Sequence, residues 1–560
     1  MSILIYATSI ILNLIVNFQV FNNQYSVITL ILWLLSIFLL VIAFKPQQLI
    51  SRFARVQISY KSFLLLALLF LPLAVRIINY NTERIHGDDL LTAYFSANYD
   101  LGKDNFFSAV PKNRTNWVAQ FPTVYFALQK IFFLIFGENI LIVKLSILPY
   151  ILTISLALFL ITKNLFGKTT AIISIFLYSF FFPSLYLETL GLHFTASTAV
   201  FILFFYFLIR SLKSNQSLLA VLTGLLAGAS YWFYLSSYIA LPILVITIFI
   251  KLISSQKIGT VKFSLLTLIA FLMAIGPFVT YAIKFNNYFF QRTNQISLLS
   301  GEWSDVKNKI SKGEISIPLA IKQNLILTTS SLYKNGFGGN GGYDFGHIAF
   351  FDPIILLLFI FGFSRCCWLI ITRHHSLPLL LVILTIFTSF ATMVLSIPPP
   401  AFHRFSLAYP FIIIILVAPF EWFLSIKKIN RKIITTLTVV ILAVIIVDNQ
   451  NRFMVATASE KENIDIRLSE YLDNHFPERK LYVAAFPGFV FEKIYYFAGN
   501  NYRKITTDYH SNLLQNFNLN EKYAYVILFP ETFNSAFAQA DPNGTIISFS
   551  AKYSLFVNIP

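Results

Sequence analysis

Acidic side chains are scarce in this chain: Asp and Glu together number 25 of 560 residues. Charged residues of both signs make up 12%, against about 25% in a soluble domain. With 57% hydrophobic residues, that excludes an ordinary soluble globular protein. Cysteine is nearly absent. Its two copies, Cys366 and Cys367, are adjacent, which excludes a disulfide framework and a zinc pattern. The first 44 residues carry no charged side chain. Without a basic n-region or a cleavage-site pattern, the first apolar run reads as a retained span rather than a signal peptide. No Gly-Lys-Ser/Thr follows the glycine-rich run from Asn335 to Gly346, so it is not a P-loop; it reads as a lid or linker. Internal repeats, heptads and low-complexity tracts are missing too.

What is there is a succession of apolar runs of bilayer-crossing length. They predict about thirteen spans, near 3–20, 26–44, 62–80, 139–162, 169–184, 193–210, 217–233, 236–254, 263–284, 348–370, 377–397, 405–426 and 433–449. The runs are too long and continuous for the strands of a membrane barrel.

The net charge of +17 has an address. Lys45, Arg52, Arg55 and Lys61; Lys163 and Lys168; Arg210 and Lys213; Lys251, Lys257 and Lys262; Arg365 and Arg373; and Lys427, Lys428, Arg431 and Lys432 all fall in alternate loops that hold no acid. The other 25 basic residues balance the 25 acidic ones. This asymmetry is the positive-inside signature rather than a nucleic-acid patch, and it puts those loops and the N-terminus in the cytoplasm. Alternation then places 81–121, 185–192, 285–347, 398–404 and 450–560 outside. Two N-glycan acceptor patterns, at Asn113 and Asn543, lie on that outer side but arise easily by chance.

Three blocks follow. Residues 1–61 form a two-span hairpin with a basic cytoplasmic segment, and 62–449 form the main bundle. In 450–560 the charges return and the runs shorten: Ser459 with Glu462 reads as a capping box opening a helix to about Asn474. Leu481–Phe486, Tyr502–Thr507, Tyr523–Phe529 and Thr545–Phe549 read as short strands. The fold class is therefore an all-α polytopic membrane bundle with a small C-terminal α/β extracytoplasmic domain.

Against so few acids, the adjacent pair Asp88-Asp89 just beyond a span stands out. Two neighbouring carboxylates raise one another's proton affinity or share a cation; equally, Asp caps helix starts, here one beginning near Leu90. The first outer loop ends in Phe121-Pro122-Thr123-Val124-Tyr125 and opens an amphipathic run to Phe136-Gly137, read as a helix lying at the interface. Glu188 sits in a very short outer turn, where an acid is costly unless paired. His403 and Arg404 open a late span, where Arg404 is either an anion clamp or a snorkelling anchor. Lone histidines such as His86 and His347 read as packing residues rather than metal ligands.

Taken in order, these pieces resemble the GT-C superfamily of membrane glycosyltransferases. The resemblance covers 62 to about 430, and within the superfamily it is to the lipid A aminoarabinose transferases, the protein O-mannosyltransferases and the rhizobial lipopolysaccharide glycosyltransferases. It rests on Gly87-Asp88-Asp89 with a Thr-Ala-Tyr helix start, the Phe121-to-Tyr125 helix ending in Phe136-Gly137-Glu138-Asn139, a span with early Lys144, the turn Tyr186-Leu187-Glu188, and Pro400-Ala401-Phe402-His403-Arg404 leading to Tyr409-Pro410. The chain departs from the family at Asp89, where Glu is usual, at Lys144, where Arg is frequent, and at Gln120-Phe121-Pro122, which lacks a basic residue before paired prolines.

The resemblance implies transfer of a sugar from a polyprenyl-phosphate carrier to a lipid, glycan or protein acceptor outside the cytoplasm. An acceptor hydroxyl needs a base, and a carboxylate serves; the leaving phosphate needs a cationic clamp. Asp88 is assigned as base with Asp89 beside it and Glu188 as a further catalytic acid. Arg404, His403, Lys144 and Lys284 are assigned to the donor phosphate, with Arg292 a weaker candidate. Metal use stays open: no cofactor, or a divalent cation (Mg or Mn) on Asp88 and Asp89. The competing class is a transporter or flippase of lipid-linked sugars, which predicts repeat symmetry and broken helices; an oligosaccharide ligase and an assembly protein are further alternatives. The C-terminal block, having no His/Asp/Cys cluster, is assigned to acceptor positioning.

Overall fold

The computed structural model describes residues 2–44, 60–108, 122–214, 216–254, 258–284, 291–337, 343, 345–372, 376–426, 430–458, 463–485, 491–498, 505–509, 521–528 and 530–558. Several sequence features lie outside these: Lys45, Arg52, Arg55, Lys257, Arg373, Lys427, Lys428, Asn113, Phe121, the Ser459–Glu462 capping box and most of the glycine-rich run.

The helical bundle expected from the apolar runs is what the chain forms. Among the described residues nine helices are long and apolar enough to cross a membrane: Ile3–Phe21, Ile140–Phe166, Phe194–Lys213, Leu235–Ser254, Ile258–Lys284, Pro353–Ile371, Ser376–Val394, Phe402–Ser425 and Lys432–Ala456. A tenth is the pair Lys168–Phe180 and Phe182–Glu188, bent by 54°. Val27–Ala43, Phe63–Ile78 and Ser217–Trp232 are shorter apolar helices at the three remaining expected spans. The run after Pro122 is a separate helix, Val124–Phe136, and Gly137 ends it at φ +90°, a conformation glycine adopts without strain. The chain divides into two compact units: 1–80, 99–128 and 145–458 in the first, and 81–98, 129–144 and 459–560 in the second.

Two sequence features organise the first unit. Pro277, inside Ile258–Lys284, has no N–H for the carbonyl of Met273. Asn13 Nδ2 (3.0 Å) and Trp33 Nε1 (3.2 Å), one from each helix of the N-terminal hairpin, donate to that carbonyl instead, so the hairpin is pinned to the long helix one turn before its proline. Small residues bring Ser217–Ala229 against the same long helix: a Cβ on Gly224 would lie 2.1 Å from the Thr267 carbonyl oxygen, an approach only glycine permits.

The second unit is built on a five-stranded sheet of order β2-β1-β3-β5-β4, with β1 Lys480–Ala485, β2 Ile505–Tyr509, β3 Tyr523–Leu528, β4 Thr545–Ser548 and β5 Tyr553–Val557. β1 runs parallel to β2 and β3, pairing Val483 with Thr507 and Val526, and β5 runs antiparallel to β3 and β4. Leu481, Val483, Val526 and Leu555 bury one sheet face with Leu468 and Leu472 of helix Ile464–His475. Four strands stand where the sequence puts them. The fifth, β5, goes unread because its residues are buried on both faces and show no period-two alternation.

Candidate active site

The acid pair sits in the second unit, in the first turn of helix Gly87–Ala97. The helix start is held twice over. His86 is the N-cap, its Nδ1 accepting from the Asp88 N–H at 3.1 Å. Asp89 Oδ1 accepts from the His86 N–H at 3.2 Å and the Leu90 N–H at 2.6 Å. Capping thus falls to His86 and Asp89, so His86, read from sequence as a packing residue, has a definite local task. The Asp88 carboxylate lies 3.9 Å from His86 Nδ1. Asp89 Oδ2 is buried and, among the described residues, has no hydrogen-bond partner. Burial pushes the Asp89 carboxyl up to about 6, against the pull of Lys144 and His86. Lys144 is buried too, with Nζ donating to the Arg84 carbonyl at 2.5 Å. The pair and Lys144 are therefore electrostatic neighbours within one unit.

What fixes this helix is apolar. Leu90, Ala93 and Ala97 pack in one buried cluster with Phe133, Ile140 and Val143 and, from the C-terminal block, with Ile466, Ile494 and Phe497. Glu83 Oε2 accepts from the Asn463 N–H at 3.0 Å, and Tyr496 hydroxyl donates to Glu138. The segment 459–560 and the acid helix share a core.

The remaining candidates belong to the first unit. Glu188 ends the second half of the bent helix, and neither carboxylate oxygen is idle. Oε2 accepts from Arg76 Nε at 2.8 Å and Oε1 from the Tyr178 hydroxyl at 2.9 Å. Arg76 was missed by sequence reasoning, although an arginine inside an apolar span was the available signal.

Arg404 is buried. Its Nη1 donates to the Ile397 carbonyl at 2.8 Å, its Nε has no partner, and no carboxylate pairs with it among the described residues. Its electrostatic neighbours are Tyr234, Tyr343 and a second cation, Arg292. It lines a cavity of about 450 Å³ with Tyr234, Ser236, Thr293, Thr388 and Thr392, among others. A buried guanidinium with no carboxylate partner among the described residues, beside another arginine, is chemistry for an anion. His403, its neighbour in sequence, instead packs in an aromatic cluster, 4.2 Å from the Tyr343 ring and 5.0 Å from Phe194. Lys284 is exposed at its helix end, with Nζ 4.9 Å over the Phe21 ring.

A divalent cation does not fit these residues well. Glu188 has both oxygens engaged by an arginine and a tyrosine, and Asp89 has one oxygen committed to two backbone N–H groups. Among the described residues no three His, Cys, Asp or Glu side chains form a cluster able to hold a metal.

No protein-family model matches the chain, and no curated protein matches it by sequence. Solved structures do match by fold. ArnT from Cupriavidus metallidurans bound to undecaprenyl phosphate superposes with a TM-score of 0.57 at 12% identity, over 90% of this chain and 99% of that one. Its apo form gives 0.55 at 11% identity over the same shares. The apo oligosaccharyltransferase of Archaeoglobus fulgidus gives 0.51 at 12% identity, over 86% of this chain and 71% of that one. The chain thus shares the fold of these proteins, the architecture that the ordered motifs led one to expect.

Proposed function

We propose that this protein is a membrane glycosyltransferase that moves a sugar from a polyprenyl-phosphate carrier to a nucleophile on a lipid, glycan or protein outside the cytoplasm. The observation that carries the reading is Arg404, a buried guanidinium with no carboxylate partner among the described residues, lining a mainly apolar cavity that also carries Ser, Thr and Tyr side chains. That combination suits a lipid phosphate: the cation takes the charge and the apolar walls take the chain. The shared fold agrees, since one solved structure with this architecture holds undecaprenyl phosphate.

In the proposed reaction the acceptor oxygen attacks the anomeric carbon, its proton passes to the Asp88 carboxylate, and the bond from that carbon to the phosphate oxygen breaks. The electron pair leaves with the polyprenyl phosphate, whose charge Arg404 and Arg292 stabilise. Asp89 holds the helix start that presents Asp88, and Lys144 balances the charge of the pair. Lys284 and His403 keep their assignment to the donor phosphate from the sequence alone, since neither lines the Arg404 cavity, and Glu188 is assigned to support of the bent helix. The acidic pair faces the outside and the N-terminus the cytoplasm, by the charge asymmetry of the loops.

Broken helices such as the one bent at Phe181 are also found in secondary transporters, so transport is the second reading. A labelled polyprenyl-phosphate sugar separates the two. Transfer by the purified protein releases free polyprenyl phosphate, whereas transport leaves the donor intact. Under the transfer reading Arg404→Ala weakens donor binding. Unchanged donor affinity in that variant would remove Arg404 from the donor site.

A further inference from the structure

The bend between Lys168–Phe180 and Phe182–Glu188 should be costly inside a membrane. Pro183 in the first turn of the second helix supplies no N–H, Phe181 is extended at ψ 111°, and the carbonyls ending the first helix lose their helical donors. One guanidinium answers most of this. Arg76, fully buried near the end of Tyr60–Ile78, donates from Nη2 to the Tyr178 carbonyl at 3.0 Å and from Nη1 to the Ser179 carbonyl. Its Nε goes to Glu188 at 2.8 Å, and its guanidinium carbon lies 4.9 Å from the centre of the Tyr178 ring. On the other side of the break, Asn449 Oδ1 accepts from the Phe182 N–H at 2.9 Å. So a single side chain joins the C-terminal end of the first half-helix to the last residue of the second.

A carboxylate oxygen is a hard donor that a divalent cation could take. Here the charge of Glu188 is already matched, one negative against one positive, and both oxygens are spent. We infer that Arg76 is the permanent counter-cation of Glu188, a positioning residue that, with the Tyr178 hydroxyl on the other oxygen, withdraws this acid from metal coordination. The short helix ending at Glu188 leads through a few residues to His193, whose ring lies 5.0 Å from that of Tyr234 in the wall of the Arg404 cavity. The pair therefore holds a stretch that reaches the donor site. In what the metal would be for, this inference rests on the transferase reading.

The test uses the full-length protein purified in nanodiscs, with Mn²⁺ alone as probe, titrated by electron paramagnetic resonance. If Arg76 and Tyr178 keep Glu188 from metal, Glu188→Gln binds Mn²⁺ as the parent protein does, within about twofold, whether the parent binds strongly or not at all. A tenfold or greater loss of Mn²⁺ affinity in a monodisperse Glu188→Gln protein overturns the inference. Thermal unfolding supplies the second arm. Arg76→Met strands a buried carboxylate and should melt well below the parent, and the double variant Arg76→Met/Glu188→Gln should recover most of that loss. A double variant melting no higher than Arg76→Met would show that Glu188 is not what Arg76 serves, and would equally overturn it. Neither arm measures sugar transfer, so a failed donor-release assay would sink the transferase reading and leave these outcomes to be judged alone.

Discussion

Phe497 offers the sharpest probe of how the acid pair is held. It belongs to the C-terminal block, yet it is buried in the cluster that contains Leu90, Ala93 and Ala97 of the acid helix, with its ring centroid 6.1 Å from that of Phe133. Phe497→Ala removes a ring from a closed core and should cost about 3–5 kcal/mol, a large share of the roughly 5–15 kcal/mol that stabilises a typical domain. Ile494→Val, in the same cluster, should cost about 0.5–1.5 kcal/mol and serves as the graded partner. The Arg404 cavity is lined by residues of 234–236, 293–297 and 388–404, none of them in this cluster. Donor affinity should therefore stay near the parent value in both variants, while kcat for transfer falls mildly in Ile494→Val and steeply in Phe497→Ala. The assay is donor binding in parallel with single-turnover transfer on folded protein. Parent-like kcat in a folded Phe497→Ala protein would refute the idea that the C-terminal block sets the acid helix. Truncation after about Gln450 should have the same character, because it strips Ile466, Ile494 and Phe497 from that core at once.

Three further outcomes are expected. Asp89 has a folded pKa of about 6, above the ordinary value of about 3.9, so the folded form binds more protons than the unfolded form between them. Its contribution to stability is full below about pH 4 and is lost as pH rises through about 6; melting curves from pH 4 to 7 should show this loss in the parent and not in Asp89→Asn. Cysteines introduced at Ser300 and Asn543 should label from outside the cell, and one at Ser255 only after permeabilisation; outside labelling at Ser255 would reverse the orientation. Asp88→Asn should fold, because the helix start is capped by His86 and Asp89. It should still bind donor while turnover drops by about two to four orders of magnitude, the range for a lost general base. Near-normal turnover in a correctly inserted Asp88→Asn protein would remove Asp88 from the base role.

How much of this was legible depends on how far each interaction reaches along the chain. Hydropathy is local, so every expected span met a helix, including the one that proves bent at Phe181. The acid pair was legible because a first-turn Asp pair is a local pattern, and so was its capping role, although the division of labour between Asp88 and Asp89 was not. The hydrogen bonds that decide it run to backbone groups whose geometry sequence does not give. Arg404 could be singled out by its place at a span opening, but its having no carboxylate partner among the described residues is a property of the packed bundle. The C-terminal block looked separable because its composition changes near 450; yet Phe497 and Leu90 share a core across some four hundred residues, which no pattern within either segment records. Arg76 marks the boundary best. A lone arginine in an apolar span announces that something must pair with it. That the partner is Glu188, more than a hundred residues on, follows only from where Pro183 breaks a helix and which carbonyls that break exposes. The chemistry of a membrane site is thus readable as a set of costs that must be met, while the residues that meet them are fixed by the fold.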